Sequence, residues 1–225
     1  MTASRTAEFV ERLASPPPET LALLRDPDDA TARILRATLE QAELVGVRRL
    51  TMDDVARRSG VGRATLYRRF PNKAALIETM VLTIVRGYLD GDEQARAQGE
   101  TLEDRILYST MFAVEFLRSN ALLRQLFRTE PESLLPSLTI DAGAIIDFVT
   151  KRSAALLRAE LYGDAPTTPR QERHLRTVAE LQARLTLSFV VTPHTSIKLE
   201  NIDAAREYVR AYLMPMIEGP GHSAS

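Results

Sequence analysis

Apolar residues recur three and four positions apart along this chain, and nowhere do they alternate with the two-residue period of a strand. That spacing predicts an all-α fold. From Asp29 to Val45 the stripe runs Ala30, Ile34, Leu35, Ala37, Thr38, Ala42 and Val45, and Gly46 supplies a stop. Thr51-Met52-Asp53-Asp54 reads as a capping box with Asp in place of Glu, starting a helix that turns Val55 and Ala56 inward. Gly60-Val61-Gly62 predicts a tight turn, Arg63 to Phe70 a second short helix, and Pro71-Asn72 its end. A longer helix is expected from Lys73 through Leu76, Ile77, Met80, Ile84 and Tyr88 to about Asp92. Further helices are expected from Thr101 through Phe116, from Asn120 to Thr129, from Ile140 to Leu161 and from Pro169 to Val191. Pro131 and Pro136 read as punctuation, Pro193 as a break, and Asn201-Ile202-Asp203 as the start of a last helix through Tyr208, Tyr212 and Leu213.

Several chemistries are excluded by what the chain lacks. Its 225 residues contain no cysteine, which rules out disulfides, thiolate nucleophiles and cysteine-based metal centres. The three histidines, His174, His194 and His222, lie far apart, so no metal is expected. No glycine-rich phosphate loop or catalytic constellation is present, so neither catalysis nor a cofactor is expected. No apolar run approaches 18 residues, which predicts a soluble cytoplasmic protein without a membrane partner. Residues 1–29, interrupted by Pro16-Pro17-Pro18, read as a flexible arm, and residues 219–225 as a flexible tail.

The net charge of −1 conceals a segregation. Residues 30–75 hold ten basic side chains (Arg33, Arg36, Arg48, Arg49, Arg57, Arg58, Arg63, Arg68, Arg69 and Lys73) and four acidic ones (Glu40, Glu43, Asp53 and Asp54). A basic head of +6 therefore precedes an acidic body. The excess falls on helix–turn–helix geometry: Ala56 is small enough for close helix packing, Gly60 reverses the chain, and Val61 plugs the corner. Leu66 and Phe70, four apart, anchor the second helix and leave Arg63, Ala64, Thr65, Tyr67 and Arg68 to face a major groove. Arginine reads guanine bidentately, and Thr or Ala methyl groups meet a thymine methyl.

The stretch from Thr51 to Leu76, TMDDVARRSGVGRATLYRRFPNKAAL, resembles the N-terminal signature of the tetracycline-repressor (TetR/AcrR) family of regulators. The resemblance covers residues 30–76 and joins turn, anchor and cap residues in one pattern. It implies a recognition helix at Arg63–Arg69, a phosphate contact from Lys73, and contacts from Thr51 and Tyr67. Gly62 departs from the pattern, standing where the family usually has Ser. Glycine still serves as an N-cap, but it brings no hydroxyl for a phosphate. The expected division is a DNA-binding domain at 30–76 and a helical effector-binding and dimerisation domain at 77–218.

For that second domain the resemblance implies a homodimer and a small-molecule ligand. Helices 169–191 and 203–217 are the expected partners of a symmetric four-helix interface. Aromatic and methionine residues gather in the middle helices, at Tyr108, Met111, Phe112, Phe116, Phe127 and Phe148, and Gln182 and Phe189 of the long helix are expected to join them. Such a stripe is more often plain core than a pocket. As a pocket it would favour a small hydrophobic or amphipathic ligand. The functional expectation is a repressor, released by that ligand from a pseudo-palindromic double-stranded DNA operator. The rivals are an activator without a small-molecule switch and a helical-bundle protein–protein adaptor, the latter leaving the basic head unexplained.

Overall fold

A computed structural model describes Arg12, Thr20 and residues 24–192, 194–199 and 201–219, apart from the side chains of Ser133 and Ser137. The expected flexible arm lies mostly outside the described residues, and the expected tail does so beyond Gly219. Among the described residues the chain is helical and holds no strand. The helices are α1 (Asp29–Val45), α2 (Met52–Ser59), α3 (Arg63–Arg69), α4 (Lys73–Arg96), α5 (Leu102–Ser119), α6 (Ala121–Thr129), α7 (Pro131–Leu138), α8 (Gly143–Tyr162), α9 (Pro169–Val191), α10 (Ile202–Tyr208) and α11 (Met214–Glu218).

The cap chemistry sets most of these boundaries. Asp28 accepts from the Thr31 amide, Thr51 from Asp54, Asn120 from Leu123, and Asn201 from Asp203 and Ala204. Thr168 and Gln171 form a reciprocal capping box at the start of α9, with Pro169 at the first helical position. Two expectations are corrected. Pro131 and Pro136 do not merely interrupt the chain: Pro131 opens α7 where its missing N–H costs nothing, and Pro136 lies near its end. The last helix is not regular either. Val209–Leu213 has π geometry, in which the Met214 N–H reaches back five residues to the Val209 carbonyl. Pro215 follows at once, and its ring and absent N–H disfavour the ordinary i→i−4 ladder at that point.

The chain forms two compact units. The first contains residues up to Tyr88 together with Asn120–Asp141, and the second contains Leu89–Ser119 and the chain from Ala142 onward. The packing division therefore falls within α4, and α6 and α7 pack with the N-terminal helices, a different cut from a functional boundary after Leu76. The core of the first unit gathers Ile34, Leu50, Val55, Leu66, Phe70, Leu76 and Met80, with Leu122 of α6 among them. In the second unit, Leu107 and Val114 of α5 meet Leu199, Ala205, Val209 and Leu213. A further cluster joins Ala154 and Leu157 of α8 to Leu175, Val178 and Ala179 of α9 and Ile217 of α11.

Candidate nucleic-acid interface

The corner between α2 and α3 is built by single-residue geometry. Gly60 ends α2 with φ +65°, a left-handed conformation that suits glycine. Val61 is buried just past it, and Leu66 and Phe70 are 0% and 3% exposed. With that side of α3 anchored, Arg63, Ala64, Tyr67 and Arg68 are exposed and Thr65 half-buried. Thr51, at the head of α2, is exposed; its hydroxyl accepts from the Asp54 amide at 3.2 Å and donates to the Asp54 carboxylate at 2.6 Å. The hydroxyl of Thr51, followed by the Arg57 guanidinium at 2.5 Å, holds the Asp54 carboxyl below its ordinary range.

The cations of this unit are not equivalent. Arg33 pairs with Asp29, Arg57 with Asp54, Arg58 with Glu40, Arg63 with Asp53 and Arg48 with Glu132. Arg69 is a structural clamp: it donates to Thr31 at 2.7 Å and to Asp28 at 2.5 Å, fastening the end of α3 to the start of α1. The Thr31 amide and hydroxyl, and then Arg69, depress the Asp28 carboxyl. Among the described residues of the 30–75 head, Arg36, Arg49 and Arg68 are exposed without an ion-pair partner of their own, so the positive field of that segment concentrates on them and on Lys73. Tyr67 is 47% exposed, which leaves its ring and hydroxyl on the surface beside Arg68.

Lys73 has a role the sequence does not show. Its Nζ donates to the Arg48 carbonyl at 2.9 Å, tying the first residue of α4 to the loop between α1 and α2. The same loop, and the end of α1 that leads into it, are gripped from far along the chain. The Glu130 carboxylate accepts from the Arg48 amide at 2.8 Å, Glu132 takes its guanidinium at 2.7 Å, and Gln125 donates to the Leu44 carbonyl at 3.1 Å. Glu130 also closes over Gly46, where a Cβ would lie 2.4 Å from its Oε1. These partners are more than eighty residues apart, and no local pattern announces them. Asp53, the partner of Arg63 at 2.6 Å, is the other residue that sequence reasoning passed over; an acidic residue two places beyond a cap looks like routine helix-dipole chemistry.

The residues expected to line a ligand pocket fall into several settings. Met111 and Phe189 pack against the cluster of Leu107, Val114 and Leu213. The rings of Phe112 and Phe116 lie 5.7 Å apart, and Phe112 presses on Gly91, whose absent Cβ would sit 2.3 Å from the ring. Tyr108, Phe148 and Gln182 are half-buried on α5, α8 and α9, whereas Phe127 belongs to the first unit. A cavity of about 400 Å³ opens elsewhere in the second unit, between α8 and α9, lined by Ile146, Asp147, Thr150, Arg173, Arg176 and Glu180 among others. None of the expected pocket residues borders it. Among the described residues, no three metal-ligating side chains come together, and no helix is long and apolar enough to cross a membrane.

Two family models match the chain: "Bacterial regulatory proteins, tetR family" over residues 34–80, and "Bacterial Tetracyclin repressor, C-terminal domain" over residues 107–209. The chain belongs to the tetR family. The first match spans the α2–α3 corner and the start of α4; the second runs from α5 into the π turn. Similar curated proteins include uncharacterized HTH-type transcriptional regulators of Mycobacterium bovis and of Mycobacterium tuberculosis, each 35% identical over 79 residues. That alignment takes in 33% of this chain and 42% of each relative, so the chain spans less than half the length of these relatives. Among solved structures, the TetR family repressor AlkX from Dietzia sp. strain DQ12-45-1b, implicated in biodegradation of n-alkanes, shares the fold. Its TM-score is 0.55 at 23% identity, covering 82% of this chain and 97% of that one.

Proposed function

We propose that the protein is a sequence-specific DNA-binding regulator that reads a major groove with α3. The observation that carries this reading is the exposed face of the α2–α3 corner. Thr51, Arg63, Ala64, Thr65, Tyr67 and Arg68 occupy its solvent side while Leu66 and Phe70 hold the helix from behind. Arg63 and Arg68 supply donors for guanine or phosphate, Ala64 and Thr65 methyl groups for thymine, and Tyr67 a hydroxyl for the backbone. Lys73 contributes its charge while bracing the Arg48 loop. Double-stranded DNA in the cytoplasm is the partner this face fits.

The apolar side chains that α9, α10 and the π segment leave in solvent support a homodimer. Leu181 and Leu185, four residues apart, are 45% and 40% exposed, and Ile202 and Tyr212 are 44% and 64% exposed. Two copies joined there would present two α3 helices to successive major grooves about 34–36 Å apart. We further propose a repressor whose DNA affinity falls when a small hydrophobic or amphipathic ligand enters the second unit. Tyr108 and Phe116 of α5, half-buried rather than sealed, support this.

Selection of bound duplexes from a random library, followed by titration with competitor DNA, tests the reading. A pseudo-palindromic preferred site, bound at least about 10³-fold more tightly than bulk DNA, is expected. Uniform binding to all sequences, or none, would contradict it. Light scattering at micromolar concentration should give a dimer mass. Compounds that raise thermal stability should weaken binding to the selected duplex by about 5–150-fold; binders without that effect would remove the switch.

A further inference from the structure

We infer that Asp53 is a positioning residue that holds Arg63 ready for base reading and thereby sets the preference at the base pair Arg63 faces. This role presupposes the DNA-binding reading above.

Two carboxylates open α2, and they are used differently. Asp54 is occupied locally, by the Thr51 hydroxyl and by Arg57 three residues on. Asp53 reaches across the turn to Arg63, the first residue of α3, with Nη2 to Oδ2 at 2.6 Å. The two side chains remain 68% and 50% exposed, so the pair contributes little to stability. Its effect is to order a long side chain before DNA arrives. Immobilising such a side chain on binding costs roughly 0.5–1.5 kcal/mol, a cost already met when the side chain is held in place. One guanidinium N–H on Asp53 leaves others of the five for the N7 and O6 acceptors of guanine.

The carboxylate also works against unmatched sequences. It places a negative charge on the face that phosphates approach, a charge offset only while Arg63 stays beside it. Gly62, directly before Arg63, strengthens this assignment. Its φ of −61° is ordinary, so the backbone does not require glycine, and an added Cβ would meet nothing within 4 Å. The flank of the pair is therefore bare, and nucleic acid approaches Arg63 with no intervening side chain.

The test uses the full chain, the duplex selected by the wild type, and a set of duplexes each changed at one base pair. For the wild type, replacing the guanine faced by Arg63 should weaken binding roughly 5–150-fold. Asp53→Asn should shrink that ratio roughly 2–12-fold, leave the other positions alone and raise affinity for unrelated DNA. Arg63→Ala should abolish the preference at the same pair, and Asp53→Asn added to Arg63→Ala should change it no further. Thermal unfolding of Asp53→Asn should stay close to the wild type, lowered only by the loss of one acidic group from the first turn of α2. An unaltered preference in Asp53→Asn, or an equal shift in the Arg63→Ala background, would overturn the role of Asp53 alone. A wild type that selects no sequence would overturn the DNA-reading assignment, and this role with it.

Discussion

The α2–α3 corner of the first unit and the attachment of α10 to α5 in the second are both held by capped helices and ion pairs, but over very different spans. At the corner, Thr51 caps three residues on, Gly60 turns the chain, and Asp53 meets Arg63 ten positions later. In the second unit, Arg206 donates to Asp104 at 2.6 Å and Arg210 to Glu103 at 2.8 Å, across 102 and 107 residues. The turn and caps of the corner are set by contacts a few residues apart, even though Leu66 and Phe70 are seated in the core of the first unit, whereas the ties of Arg206 and Arg210 to α5 exist only once the second unit has closed. The first is suited to a rigid reading surface.

The largest effect expected from breaking this contrast is in the cores. Leu66→Ala removes a fully buried anchor of α3 and should cost about 2–5 kcal/mol, measured by denaturant unfolding with a fluorescent or circular-dichroism probe. Gly60→Ala should cost about 1–2 kcal/mol, because its φ of +65° penalises any Cβ. The nearest group to that Cβ, the Arg33 guanidinium, lies 3.9 Å away, so the loss would be conformational and not steric. A Gly60→Ala variant as stable as the wild type would remove the turn from the account of the corner.

Acid should separate the two regions next. Glu103 is held below the ordinary carboxylate range chiefly by Arg210, and Asp104 chiefly by Arg206 and then Thr101. Depressed carboxyls stabilise the fold above their unfolded values and lose that contribution as pH falls through their lower folded values. The protection of the α10 amides, taken relative to their intrinsic exchange at each pH, should therefore fall as the pH drops below about 4. Asp28 and Asp54 are held low as well, so acid also loosens the Arg69 clamp and the α2 cap, but the amides of α3 should keep more of their protection because Leu66 and Phe70 anchor that helix by burial. Equal loss in both helices would erase the distinction. The smallest effect belongs to Gly62→Ser, which supplies an N-cap hydroxyl at a backbone already extended (ψ 143°) and should stabilise α3 by a few tenths of a kcal/mol.

The same contrast explains what the sequence made legible. Thr51, Gly60, Leu66 and Pro169 act within one or two turns of themselves, so the helices they start, end or anchor are evident from spacing. Glu130 above Gly46, the Lys73 bond to Arg48 and the inclusion of α6 in the first core depend on packing between distant segments, and no periodicity encodes them. The net charge of residues 30–75 likewise overstated the available charge, because Arg33, Arg48 and Arg69 are paired with Asp29, Glu132 and Asp28 outside that segment. The aromatic stripe on α5 was visible, but spacing alone does not separate a pocket from a core. Phe112 against Gly91 is packing of the second kind.

The most direct measurement of the central claim is the affinity of a Tyr67→Ala, Arg68→Ala double variant for the duplex selected by the wild type, taken as a function of salt. Both side chains are exposed and serve no core contact, so the fold should be retained. At least a tenfold loss of affinity is expected, with a dependence on log salt shallower by about 1 for a phosphate contact from Arg68 and an unchanged unfolding midpoint. Wild-type affinity and an unchanged salt dependence in that variant would contradict the assignment of this face to DNA.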